Sequence, residues 1–374
     1  MRTAQDPCDV LVVGTGPAGA ASAIALAQRG LHVVLVDVAT RRRGSPGESL
    51  HGVAAYSLRE LGLWSRFFDQ PLRRSYLSEI VWEHSEPRER RAIDHAWGPE
   101  FHLERERFDA WLCFEAERGG VERMSCLGLE HIRFDRPLAR FHCSIRTERG
   151  AIHVEAKALV DATGRSAAIM RRLGGRFRTS PDQLIAIYKV YDQPLAQPSV
   201  LIEAAPDGWW YTAPLPHGRS LAIWFTDATC ARGQASQQTY FETALLSTNH
   251  TCERVGNLDS DTPLSVCAAG PSLTLYDPAL PALAVGDAAA AFDPISGDGL
   301  CFALRSALDA AEALERFFAG RRTSLADYAA GVEAIFERHV IRRAILYDAV
   351  TRFGDAPFWT TTRCAQLLAQ VDNA

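Results

Sequence analysis

The chain has 374 residues, a formal net charge of −5 and 47% hydrophobic residues. That size allows two intertwined units around a large core and is short for three independent domains. The charge is mild and no basic tract dominates, which argues against a nucleic-acid surface. Nine scattered cysteines without a CxxC pair exclude a disulfide framework and a metal site of zinc type, and suit a reducing cytoplasm. Residues 8–13 read as a buried strand, 14–19 as a tight turn, and 20–29 as an alanine-rich helix ended by Gly30. Residues 31–36 form a second strand ending at Asp37, which completes a parallel βαβ unit. Three glycines and a proline interrupt the apolar stretch 10–27, so a membrane span is not expected. The cluster Arg41, Arg42 and Arg43 reads as a solvated loop after a strand, with help for a bound phosphate as the alternative. After a loop at 44–50, a helix is expected at 53–63, a strand at 77–84 and a helix at 104–118. Alternating runs at 129–134, 140–146 and 151–160 suggest a meander feeding back into the parallel sheet. From 184 to 267, strands at 185–190, 199–203, 209–214 and 220–226 alternate with turns, and a helix is expected at 234–246. They suggest a mostly antiparallel second sheet. Residues 282–285 return to the first unit as a buried strand. The remainder is helical, with Leu325, Tyr328, Val332, Ile335, Phe336 and His339 on one face.

Three motifs carry chemistry. Gly14-Thr15-Gly16-Pro17-Ala18-Gly19 is a GxGxxG turn between strand and helix, with Asp37 at the end of the next strand. Gly14 permits the turn, Gly16 lets a pyrophosphate approach the backbone, and Gly19 lets the helix pack close to the strand. The helix N-terminus favours the phosphates, and Asp37 can accept from a ribose diol. This Rossmann-type fingerprint does not separate FAD from NAD. Near the far end, Gly286-Asp287 and Pro294-Ile295-Ser296-Gly297-Asp298-Gly299-Leu300 form a second glycine-bearing stretch before a helix. Gly297 and Gly299 allow main chain to approach a flat ring, and the helix start can stabilise negative charge there. A third segment, Asp161-Ala162-Thr163-Gly164, follows a strand.

These three segments, in this order, resemble the p-hydroxybenzoate-hydroxylase-type (group A) FAD enzymes. The resemblance implies that Asp287 binds the ribityl chain and that the Pro294–Gly299 loop lies beside the isoalloxazine. It also implies cofactor roles for Asp161, for Arg107 in a helix, and for Glu48 and Ser49 after the second strand. The fold it implies is α/β: a Rossmann-type FAD-binding domain interleaved with a mostly antiparallel substrate domain, followed by C-terminal helices. The discontinuous FAD-binding domain would take residues 1–75, 100–180 and 270–320. The substrate domain would take 76–99 and 181–269, and the helices 321–374. Family chemistry is reduction of FAD by transient NAD(P)H, capture of O2 as a C4a-hydroperoxide, and oxygen transfer to an electron-rich aromatic ring.

Local sequence is similar to the tryptophan-halogenase branch at Pro46-Gly47-Glu48-Ser49-Leu50 and at Gly208-Trp209-Trp210-Tyr211-Thr212-Ala213-Pro214, though the second departs from the branch signature. Halogenases of that branch use a lysine to carry the halogen. Here Lys157 and Lys189 are the only lysines, and residues 38–156 contain none. The resemblance therefore implies a hydroxylase, acting on a small aromatic molecule or on a tryptophan of a partner protein during quinone-cofactor biogenesis. A halogenase, a prenyl-reductase-like flavoprotein and a non-catalytic flavin-binding partner are the alternatives. His51 and His217 are the candidate proton handlers; a structural or solvated role is the alternative for each. Trp209, Trp210 and Trp224 either line an aromatic pocket or form sheet core.

Overall fold

The computed structural model describes residues 7–38, 48–94, 97–232, 236–258 and 262–361. Two seven-stranded sheets organise the chain. Cys8–Val13 lies inside the first, parallel to Val33–Val38 on one side and to the end of Gly150–Asp161 on the other. Glu122–Cys126 and Ala282–Ala284 add two more parallel strands. Val10, Leu11, Val12, Val34, Leu35 and Val36 are all buried, as parallel strands covered on both faces require. Gly128–Asp135, Arg140–Thr147 and the first half of Gly150–Asp161 form an antiparallel meander beside them. The helix Pro17–Gln28 is short-side-chained and buried from Pro17 to Leu26, so it packs closely.

Register decides where the site lies. Val13 pairs with Asp161, and Asp161 with Ala284. Three parallel strands therefore end side by side, and the turns at Gly14, Thr163 and Gly286 leave from one edge. Ligands of open parallel sheets bind at such strand ends.

The second sheet runs in the order Ser265–Ala268, Leu184–Tyr191, Ser220–Asp227, Gly208–Pro214, Val200–Ala205, Leu77–Val81, Arg88–Arg91. It is antiparallel except where Val200–Ala205 runs parallel to Leu77–Val81. One face packs Tyr188, Trp209, Ile223 and Phe225 against Tyr347, Phe358 and Trp359 of the C-terminal part. The other packs Ile187, Trp210 and Trp224 under Tyr240, Phe241 and Val255 of two short helices. With both faces covered, Ser220–Asp227 is buried at every position. Glu48–Leu50, Glu100–Leu103 and Leu72–Ser75 form a three-stranded sheet, and Arg176–Thr179, Ser272–Leu275 and Ala290–Ala291 form another.

This is the α/β architecture expected, with its interleaved parallel unit, antiparallel sheet and long C-terminal helices. Local boundaries differ. The helix expected at 53–63 splits into Ala54–Glu60 and Trp64–Phe67, because Gly62 adopts a left-handed φ of 67° between them. The first helix starts at Pro17, whose fixed φ suits the first helical position. Arg41, Arg42 and Arg43 lie outside the described residues, as do Pro46 and Gly47. No helix among the described residues is long and apolar enough to cross a membrane.

Candidate functional site

The three glycine-bearing turns meet. A Cβ on Gly14, which has a φ of 113°, would stand 2.2 Å from the Ala162 carbonyl oxygen. A Cβ on Gly286 would stand 2.7 Å from that of Ala18. Only hydrogen fits at either contact, so the first turn is locked against both the middle and the far motif. Gly16 is different. Its φ of −73° suits any residue, and among the described residues no atom beyond its chain neighbours lies within 4 Å of where its Cβ would be. The space beside Gly16 is open, and no side chain caps the helix that starts there. A pyrophosphate fits both features: it needs a bare backbone and unpaired N–H donors.

Asp37 ends its strand beside this turn. Its carboxylate accepts from the Thr15 hydroxyl at 2.7 Å and from Arg123 at 2.7 Å. A carboxylate at the end of the second strand, beside this turn, is where the fingerprint puts the acceptor for a ribose diol. Asp287 is 40% exposed and lies 3.5 Å from Arg165. Arg165 itself donates to the carbonyls of Gly270, Ala269 and Phe292, tying the far motif to the crossover.

Pro294–Ser296 forms a single 3-10 turn, capped by Asp293, whose carboxylate accepts from the Ile295 N–H at 2.9 Å. Gly297 follows with a φ of 66°, and the helix Gly299–Phe318 begins without a side-chain cap. The Leu300 side chain is buried in the core, so its contribution to the site is its backbone. A Cβ on Gly297 would lie 2.2 Å from His51 Nε2. His51 therefore faces this loop directly, and its Nε2 is buried without a hydrogen-bond partner. Its Nδ1 lies 3.2 Å from Glu100.

Burial alone would hold the His51 imidazole below its ordinary pKa, but the hydrogen bond and charge of Glu100, with help from Asp298, carry it above. Burial would likewise raise Glu100, and the bond to His51 brings it below the usual carboxylate range. The pair is thus ionic from below about pH 4.3 to above about pH 6.5, the ordinary values of the two groups. This leaves an imidazolium N–H at Nε2 aimed at the Gly297 loop.

Strand alternation explains the grouping. Ser49 pairs with His102 across the small sheet, and Leu50 with Phe101. Leu50, Phe101 and Leu103 enter the core, which turns Ser49, His51, Glu100 and His102 to the other face. Ser49 Oγ lies 2.6 Å from His102 Nδ1 and 2.6 Å from the Tyr211 hydroxyl of the second sheet. Burial drops His102 to about 4, so it is neutral near pH 7. Sequence reasoning missed Glu100, His102 and Tyr211.

The profile of the family described as FAD binding domain matches residues 7–342. The chain belongs to this FAD-binding family. It is a flavoprotein of the group A superfamily and an FAD-dependent oxidoreductase by kinship. LodB of Marinomonas mediterranea, described as an FAD-dependent oxidoreductase, is 26% identical over 359 residues, covering 94% of this chain and 95% of that one. The solved structure of CmlS, a flavin-dependent halogenase, superposes with a TM-score of 0.86 at 20% identity, covering 99% of this chain and 70% of that one. That of QhpG, a peptidyl tryptophan dihydroxylase essential for tryptophylquinone cofactor biogenesis, gives 0.74 at 24% identity, covering 96% and 79%. At these identities the two structures share the fold.

In this flavoprotein the open space at Gly16, the uncapped helix behind it and the bare loop at Gly297–Gly299 fit FAD. Several expected site residues stand elsewhere. Asp161 is fully buried, and its oxygens accept from Thr163, Ile169 and Met170 N–H groups and the Thr163 hydroxyl. It shapes the middle turn, and both of its oxygens are engaged by these local donors. Replacing it by asparagine sets an amide against backbone N–H donors and should cost about 2–4 kcal/mol in urea unfolding. Unchanged stability with lost flavin would return Asp161 to the cofactor.

Trp209, Trp210 and Trp224 are core, at most 1% exposed, so the pocket-lining reading is corrected. Trp209 and Trp210 are adjacent in one strand and must point to opposite faces. His217 sits in an exposed turn with a φ of 59°, beside a cavity of about 300 Å³ that includes Pro71, Arg73 and Arg219. It is not among the partners of the His51–Glu100 pair. Ser49 spends its hydroxyl on His102 and Tyr211, while for Glu48 the backbone alone is described. Arg107 is 60% exposed and pairs with Glu104 at 2.8 Å; Arg105, two residues earlier, is 14% exposed and holds Asp109.

Proposed function

We propose that this flavoprotein is an NAD(P)H-dependent monooxygenase that hydroxylates an aromatic ring, with a tryptophan of a partner polypeptide as the preferred substrate class. Bound FAD would supply O2 activation and transfer of one oxygen atom. Gly14, Gly16, Gly19 and Asp37 would hold its ADP half, and Asp287 with the Gly297–Gly299 backbone its flavin half. His51 would keep a proton at Nε2 beside the ring-facing loop, and Glu100 would fix the imidazole's orientation and charge. Ser49, His102 and Tyr211 would close the wall between the flavin loop and the second sheet.

The observation that carries the reading is this dyad at Gly297, together with two lysines that are both engaged by other partners. Lys157 pairs with Asp9 at 2.7 Å on the parallel sheet. Lys189 lies over the Tyr191 ring, 5.7 Å from its centroid, and Tyr191 belongs to the face covered by the short helices. A halogenating relative of high structural similarity keeps the second reading alive, and halide separates the two. With NAD(P)H, labelled O2 and an electron-rich indole or tryptophan-bearing peptide, one labelled oxygen atom should enter the product in halide-free buffer. A product that forms only with chloride or bromide would overturn hydroxylation.

A further inference from the structure

Arg343 is buried in the long helix Ser324–Asp348, its side chain 3% exposed. It donates from Nε to Asp293 at 2.6 Å and from its terminal nitrogen to Asp182. The Asp293 and Asp182 side chains are 0% and 2% exposed. Asp293 also accepts from the Tyr347 hydroxyl at 3.0 Å, and Tyr347 in turn accepts from Trp209 Nε1 at 3.0 Å. The backbone N–H of Asp293 donates to His339 Nε2 at 2.9 Å. Burial holds His339 down to about 4, so it is a neutral acceptor there.

The location of these groups gives them meaning. Asp293 caps the turn that leads into Gly297, the loop that faces His51. Asp182 precedes the strand Leu184–Tyr191, where the chain enters the second sheet. Trp209 belongs to that sheet. One guanidinium therefore ties the helix Ser324–Asp348 to the loop and to the entry of the second sheet at Asp182, and one phenol ties the loop to the sheet. A buried ion cluster is a poor source of stability, since well-packed apolar groups often do as well or better. It is a good source of direction, because a carboxylate held by three fixed donors has one orientation.

We propose that Arg343 is a positioning residue for the flavin: through Asp293 it fixes the Pro294–Gly299 backbone that would hold the isoalloxazine, with Tyr347 as its second tie. The proposal rests on the FAD site assigned above. Arg343→Met keeps the stem and removes the donors. The folded variant should bind FAD at least tenfold more weakly by fluorescence titration, and its bound flavin should show an altered visible spectrum. Arg343→Lys should recover part of both. A folded Arg343→Met protein with wild-type affinity and spectrum overturns the proposal, whatever its melting temperature. If Arg343→Met does not fold, Tyr347→Phe decides: FAD affinity reduced threefold or more upholds the role, and unchanged affinity and spectrum overturn it. Wild-type protein that takes up no FAD would instead sink the cofactor site itself.

Discussion

Gly16→Asp should leave a folded protein that has lost its flavin. Gly16 has an extended backbone, and a Cβ there meets nothing within 4 Å beyond its chain neighbours. Aspartate would even provide the cap that the helix Pro17–Gln28 lacks, which favours the apoprotein slightly. The same carboxylate would stand where a pyrophosphate must lie, taking its N–H donors and repelling its charge. FAD affinity should fall more than 100-fold, about 3 kcal/mol or more, with the apoprotein melting temperature unchanged or raised. Gly14→Ala tests the contrast. There the Cβ would meet backbone at 2.2 Å, so folding itself should suffer. Wild-type FAD affinity in the folded Gly16→Asp protein would remove the phosphate site from this turn.

His51→Gln should lower oxygenated product by about 100-fold while FAD stays bound, the scale of losing one positioned acid–base group. The pH profile carries more information than the rate. A proton held at Nε2 is lost as pH rises through the His51 pKa, which Glu100 keeps above the ordinary histidine value. Wild-type activity should therefore persist past pH 6.5 or so before its alkaline limb. Glu100→Gln removes the partner, so burial dominates and the limb should move to lower pH. An unmoved limb would show that Glu100 does not govern the titrating group.

Glycines made the cofactor half of the site legible. Gly14, Gly286 and Gly297 report a demand of the backbone and Gly16 an open approach to it, so all four could be read without knowing what they touch. Side-chain partners were harder, because they depend on pairings between distant strands. Ser49 and His102 are 53 residues apart, and Arg343 and Asp182 are 161 apart. A signal was nevertheless present. Ser49-Leu50-His51 and Phe101-His102-Leu103 alternate polar and apolar residues in the manner of strands with one face on a core. The same alternation rule places the neighbours Trp209 and Trp210 on opposite faces, so a single aromatic pocket could not hold both. Asp161 illustrates another limit. Its motif position matched the family, yet four local donors claim its carboxylate, and local claims of that kind do not show in spacing.

The central claim is that two distant glycine-bearing segments and the His51–Glu100 pair enclose one flavin. A crystal structure with FAD bound tests this most directly. The pyrophosphate should lie over Gly16, and the isoalloxazine should lie along Gly297–Gly299 with His51 Nε2 turned toward it. A ring bound away from that loop, with His51 facing protein alone, would contradict it.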